Sequence, residues 1–271
     1  MKRLGEGRTA EIYDYAPDRV LKLYRIGFPK EAIVFEFETN LFISSLGISS
    51  PKAFELIEHD GRVGIVFQYV EGHSFLQKIT QNPQELIILS TIFADLHLQM
   101  HNHVLQTDRA VKQIRNQKVV LTENIHNTTQ LSHEEKRRII LYLEKLPQGN
   151  CLCHGDFHPD NVMVGEQEWI IDWMTGMIGN AAGDIARTLL LLTYGTLPDG
   201  APSDIIETLH LTRNKMKDTY LNQYLVNSKL QIDDINQWML PVAAARLSEW
   251  IPEKEKEALL MLIRERLEQL S

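Results

Sequence analysis

The stretch Cys153-His154-Gly155-Asp156-Phe157-His158-Pro159-Asp160-Asn161, followed by Ile171-Asp172-Trp173, decides the reading of this chain. It sets an Asp and an Asn five positions apart on a polar loop. Val162-Met163-Val164, Gly165 to Glu168 and Trp169 to Ile171 then read as a tight hairpin with a second Asp at its far end. Two carboxylates and an amide oxygen in this order suit phosphoryl transfer from a magnesium nucleotide. Asp156 would accept the proton of an attacking hydroxyl, and Asn161 and Asp172 would offer hard oxygen ligands to Mg2+. The plain alternative is a polar turn and hairpin without chemistry, and three such oxygens beside an embedded Lys weigh against it.

The partners that such a site requires lie upstream. Gly5-Glu6-Gly7-Arg8-Thr9-Ala10-Glu11-Ile12-Tyr13 is a glycine-containing turn between two strand candidates. Gly5 and Gly7 could lay backbone N–H groups over nucleotide phosphates, although a plain hairpin turn carries the same pattern. Val20-Leu21-Lys22-Leu23-Tyr24 puts one Lys inside an apolar strand. A buried Lys is costly unless paired, so contact with Glu38 and the phosphates is the simplest expectation. Glu38 is preferred because the helix expected from about Lys30 to Ser45 carries Val34, Phe37, Glu38, Leu41, Phe42 and Ser45 along one stripe. Glu36 falls off that stripe. Ala10 to Tyr13, Val20 to Tyr24, Ala53 to Glu58 and Val63 to Val70 read as strands, with Asp60-Gly61 as a hairpin signal.

Beyond Glu71-Gly72 the pattern turns helical. Pro83 to about His101 has apolar residues at helical spacing, and Ser132-His133-Glu134-Glu135 is a capping box opening a helix to about Leu146. Helical segments over 184–195, 203–226 and 233–269 follow, with breaks expected near Pro198, Asn227, Pro241 and Pro252. The expected class is α+β. Residues 1–70 form a sheet-rich, nucleotide-binding lobe, and 71–271 a larger helical lobe with the catalytic loop and acceptor site.

An Asp and Asn on a catalytic loop with a later metal-binding Asp is also the layout of protein kinases. The signature His154-Gly155-Asp156-x-His158-Pro159-x-Asn161 with Ile171-Asp172-Trp173 resembles the aminoglycoside phosphotransferase and choline kinase-like small-molecule kinases. Gly183-Asp184-Ile185-Ala186-Arg187 and Ala94-Asp95-Leu96-His97 resemble the same family. The resemblance implies a bilobal protein-kinase-like fold. It implies an ATP-dependent phosphotransferase moving the γ-phosphate to a hydroxyl of a small aminoglycoside-, amino alcohol- or sugar-like acceptor, with Mg2+ as cofactor and GTP as the alternative nucleotide. By the same analogy adenine hangs on the backbone of Gln68, Tyr69 and Val70. A nucleotide-binding pseudokinase or regulatory module without turnover is the second reading. Asp172 is followed within twelve residues by Asp184, at the head of an apolar helix, which leaves no room for a peptide-docking platform.

The rest of the composition narrows the partners. A net charge of −8 on 271 residues, with no long basic run, argues against a nucleic-acid binder. No apolar run approaches membrane-spanning length and no signal peptide opens the chain, so a cytoplasmic protein is expected. Cys151 and Cys153 read as small buried hydrophobes. Residues 1–70 hold nine basic and ten acidic groups, and 71–271 nineteen and twenty-six, so the acidity lies with the acceptor lobe. That makes a cationic acceptor the first class to test; the oligomeric state is unassigned. His97, His101 and His103 lack the further ligands of a zinc site and read as packing or exposed histidines. Asp184 reads as a structural acceptor for backbone N–H groups of the loop. Trp238, Arg246, Glu249 and Trp250 are either acceptor lining or core.

Overall fold

The computed structural model describes residues 1–105, 114–195 and 203–270. Its first compact unit comprises Met1–Thr80 and Pro159–Gly176, and its second Gln81–His158 and Met177–Ser271. The expected parting at residue 70 therefore moves: residues 71–80 and the hairpin after Asn161 go with the N-terminal sheet. Strand pairing ties residues 73–74 to the hairpin, and hydrogen bonds from Ser49 tie the hairpin to the segment after the first helix.

In the first unit β1 (Arg3–Glu6), β2 (Ala10–Ala16), β3 (Arg19–Tyr24), β4 (Ala53–His59) and β5 (Arg62–Gln68) form an antiparallel sheet in the order β1-β2-β3-β5-β4. The β4–β5 turn has Asp60 at φ 51° and Gly61 at φ 71°, the two left-handed residues that a tight hairpin matched to sheet twist requires. Alternation along β3 sends Leu21 and Leu23 to one face with Val66. Val20 and Tyr24 go to the other face, with Ile65, Phe67 and Ile33 of α1 (Lys30–Ser45). Each such buried aliphatic contributes roughly 1.5–3 kcal/mol. Lys22 pairs across the ladder with Ile65 and so faces α1.

The α1 register differs from the expected one. Its buried residues are Ile33, Glu36, Thr39, Asn40 and Ile43, and Glu38 is exposed. Apolar side chains occur on almost every side of this helix, so hydrophobicity alone does not choose a face. The stripe that the sheet covers contains a charged residue because Lys22 is there to meet it.

A second sheet of the same unit pairs β6 (His73–Ser74), β9 (Val162–Val164) and β10 (Glu168–Ile170) in the order β10-β9-β6. Two glycines allow this close approach. A Cβ on Gly72 would lie 2.2 Å from the Val164 carbonyl oxygen, and one on Gly165 2.1 Å from that of Glu71. Ser49, just after α1, accepts from Ile170 N–H through its carbonyl and donates its hydroxyl to Glu168 O.

The second unit is mainly helical: α3 (Leu86–His101), α4 (Gln117–Asn127), α5 (His133–Lys145), α6 (Ala181–Tyr194), α7 (Ser203–Asn227), α8 (Ile232–Arg246) and α9 (Glu253–Glu268), after α2 (Phe75–Gln81). Ser132 forms the expected capping box with Glu135. Pro241 does not break α8. It lies inside the helix, where the burial of Ile235, Trp238, Leu240 and Val242 outweighs one missing hydrogen bond. The break expected near Pro198 lies outside the described residues. A small sheet of β7 (Arg115–Asn116), β8 (Cys151–Cys153) and β11 (Met177–Gly179) delivers the chain into the His154-Gly155-Asp156 loop. Cys151 and Cys153 are free thiols with sulfurs 3.9 Å apart. Among the described residues no helix is long and apolar enough to cross a membrane.

Candidate active site

In the first unit the Lys22 ammonium lies 2.7 Å from Glu36 Oε1 and 2.9 Å from Asp172 Oδ1. Tyr24 donates its hydroxyl to the other Glu36 oxygen at 2.5 Å. Burial works against a charged Lys22, but Asp172 and Glu36 outweigh it and raise the pKa well above that of an ordinary lysine. The cation is therefore fixed at any physiological pH. Glu36 is the partner and Glu38 is not, which corrects the expectation above. Glu36→Gln is expected to cost about 1–3 kcal/mol, since it leaves Lys22 with one counter-charge. The exposed Glu38→Gln should stay within about 0.5 kcal/mol. Urea midpoints of the two variants compare them, and equal losses would return the pairing to Glu38.

Asn161 and Asp172 flank the open end of the β9–β10 hairpin. Ile171 N–H donates to the Asn161 carbonyl at 3.0 Å, which ties the segment before Asp172 to Asn161. Asp172 has φ 64° and ψ 63°, a left-handed conformation uncommon outside glycine. Trp173 follows, fully buried, donating its indole N–H to Ile170 O at 3.1 Å. This anchor holds Asp172 in its strained geometry while leaving its carboxylate partly exposed. An amide oxygen and a carboxylate are hard donors of the kind that Mg2+ takes.

The Gly5 to Gly7 turn is closed by Gly7 N–H to Ala10 O at 2.8 Å. Arg25, which sequence reasoning missed, holds the turn from below by donating to Arg8 O, Gly7 O and Glu6 Oε1 at 3.0–3.1 Å. At the other end of the sheet, Gln68 N–H donates to Lys52 O and Tyr69 N–H to Asp18 O. Two N–H groups of the segment expected to offer its backbone to adenine, Gln68 to Val70, are thus engaged within the protein.

In the second unit Asp184, at the start of α6, organises the loop that carries Asp156. Its Oδ2 accepts from His154 N–H and its Oδ1 from Gly155 N–H, both at 2.7 Å. His97 and His101 each place Nε2 on the same carboxylate, at 3.1 and 3.2 Å, and each Nδ1 meets a tyrosine hydroxyl, Tyr220 and Tyr224, at 2.7 Å. Since the ionised Asp184 can only accept, the ring protons belong on Nε2, which leaves each Nδ1 to accept from its tyrosine hydroxyl. Burial lowers the His97 pKa to about 3, so this ring is neutral. Burial pushes the Asp184 pKa up, yet the histidine hydrogen bonds more than reverse it and hold the carboxyl well below its usual range. Asp184 thus accepts backbone N–H groups of the loop, and it joins His97 and His101, with the ligand atoms of all three within 4.8 Å of one another, a third ligand type that the spacing of the histidines alone did not show.

Gly155 takes φ 78°, the left-handed turn from which Asp156 emerges, and Phe157 packs, fully buried, against His97 and Phe93 with ring centroids 4.0 and 4.3 Å away. Asp156 Oδ1 receives Arg187 Nη2 at 3.0 Å, and His158 Nε2 stands 3.5 Å from Oδ2. Burial raises the pKa of Asp156, but His158 and Arg187 overcome it and keep the group ionised far below the normal carboxylate range. Of the four residues proposed as acceptor lining or core, Trp238 is core, Arg246 is buried beside Glu249 and Glu255, and Trp250 is 87% exposed.

Sheet, helices and this loop architecture are those of a protein-kinase-like fold. A sequence model of the phosphotransferase enzyme family matches residues 2–215, and the chain belongs to that family. Among solved structures it is similar to a streptomycin–ATP–APH(2'')-IIa ternary complex, with 16% identity, a TM-score of 0.60, and 96% of this chain and 90% of that chain covered. It is similar to an aminoglycoside-3'-phosphotransferase of type VIII, with 16% identity, a TM-score of 0.57 and 84% of each chain covered. The macrolide 2'-phosphotransferase MphH from Brachybacterium faecium shares 14% identity at a TM-score of 0.55, over 95% of this chain and 90% of that one. At this identity the likeness is one of fold. No curated protein matches the chain by sequence.

Proposed function

We propose that the protein transfers the γ-phosphate of ATP, or of GTP as the alternative nucleotide, to a hydroxyl of a small molecule. The observation that carries the reading is the Lys22 ammonium held between Glu36 and Asp172, because a buried lysine so fixed is a ready counter-charge for nucleotide phosphates. The backbone of the Gly5 to Gly7 turn would cover the phosphates, and the Gln68–Val70 segment would hold the base. Asn161 and Asp172 would hold Mg2+, which supplies neutralisation of the charge on the phosphate oxygens. Asp156 accepts the proton of the acceptor hydroxyl. As the acceptor oxygen bonds to the γ-phosphorus, the bond from that phosphorus to the bridging oxygen breaks and ADP leaves.

Residues 71–271, which carry Asp156, hold twenty-six acidic against nineteen basic groups. That favours an amine-bearing acceptor as the first class to test. The experiment incubates purified protein with magnesium ATP and a panel of aminoglycosides, amino alcohols and sugars, read as ADP release. Slow release with water as acceptor, stimulated by an acceptor of the panel, is expected, and Asp172→Ala should abolish both; full activity in Asp172→Ala would remove the metal assignment. Nucleotide binding without release across the panel would favour a non-transferring regulator.

A further inference from the structure

Arg187 sits between two carboxylates of the second unit. Its Nη2 reaches Asp156 Oδ1 at 3.0 Å and Glu249 Oε2 at 3.0 Å, and its Nη1 reaches Glu249 Oε1 at 2.6 Å. The series continues: Glu249 Oε2 also meets Arg246 Nη1 at 2.8 Å, and Arg246 meets Glu255 in the first turn of α9 at 2.5 Å. Five alternating charges thus run from the loop to the C-terminal helix. Arg187, Arg246 and Glu255 are more than nine-tenths buried. Among the described residues the buried Arg187 Nε has no hydrogen-bond partner, so the guanidinium is oriented by the two carboxylates. A lysine could not bridge them this way, because it lacks the planar fork.

We propose that Arg187 is a positioning residue for Asp156, held in place by Glu249. The assignment rests on the reading of Asp156 as the base. By engaging Oδ1, while His158 Nε2 stands 3.5 Å from Oδ2, Arg187 fixes the plane in which the carboxylate meets the acceptor hydroxyl. A carboxylate held so firmly ionised is a weak base, and a loose phosphoryl-transfer transition state asks little basicity of it. Its orientation then matters more than its proton affinity, and orientation is what the ladder supplies.

The test measures ADP release from magnesium ATP, with water as the acceptor, together with ADP binding by calorimetry. Arg187→Ala should lower kcat by about 100-fold while leaving KM for ATP within about 3-fold. Arg187→Lys should restore little of it, whereas millimolar guanidinium should return part of kcat to Arg187→Ala and none to Asp156→Asn. Glu249→Gln should lower kcat by about 10-fold alone and add nothing on top of Arg187→Ala, because it acts only through the guanidinium. Wild-type kcat in Arg187→Ala, or additive losses in the double variant, would overturn the assignment. If Arg187→Ala fails to fold, kcat of Glu249→Gln decides: unchanged, it overturns the proposal. Retained turnover in Asp156→Asn, or none in wild type, is the separate failure of the base reading and takes this assignment with it.

Discussion

Asp156→Asn should lower turnover by about 1,000-fold while nucleotide affinity stays near that of the wild type. The amide has the same shape and still offers an oxygen to Arg187 Nη2, so the loop keeps its geometry. It loses only the ability to accept a proton and to carry charge. Arg187 retains Glu249, and the stability change should be no more than about 1–2 kcal/mol. Single-turnover ADP release and calorimetric nucleotide binding, taken on the same preparation, separate the two effects. A loss smaller than about 10-fold would transfer the role of base elsewhere.

Asp184→Asn should be the most damaging single substitution to the fold, at about 3–5 kcal/mol. Asp184 accepts from two backbone N–H groups and two imidazoles; His97, His101 and His154 are buried with it and Gly155 is half-buried. An amide offers one oxygen and sets two N–H groups against donors. Its neutral side chain also cannot serve the two oxygens that His154 and Gly155 require. The pH dependence follows from the direction of the shift. The folded pKa of Asp184 is depressed below its unfolded value of about 3.9, so its stabilisation is complete above that value and is lost as pH falls toward the folded pKa. Thermal midpoints should be flat from neutrality to about pH 5 and fall below pH 4, with a shallower fall in Asp184→Asn. An equal slope in both proteins would assign the acid sensitivity to other carboxylates.

Local spacing made much of the candidate site legible. Asp156, Asn161 and Asp172 lie within one loop and one hairpin, and Asp184 heads the next apolar helix, so their order alone suggested their roles. The strands of the large sheet were legible for the same reason, with Asp60-Gly61 marking the turn. The partner of Lys22 was not, because α1 is apolar nearly all round and its buried face is chosen by the sheet. A charged residue on that face looked like a solvent position until the lysine opposite it was placed. Pro241 misled in the reverse sense, since tertiary packing held a helix that local chemistry disfavours. Strands of two or three residues, such as β6, β7 and β11, carry no periodicity to read. The Arg187 series joins residues 31 and 62 positions apart, and no window of sequence contains it.

The first unit is discontinuous in sequence, and that governs when it can form. Its sheet of β6, β9 and β10 draws on residues that follow the whole of α3 through α5. On a ribosome adding roughly 5–20 residues per second, the first unit waits about 10–35 s, until residue 176 has been made. A fragment ending at residue 80 would leave the β6 backbone and the Ser49 carbonyl without their hairpin partners. The order of synthesis thus makes the hairpin bearing Asn161 and Asp172 the closing piece of the unit whose lysine it meets.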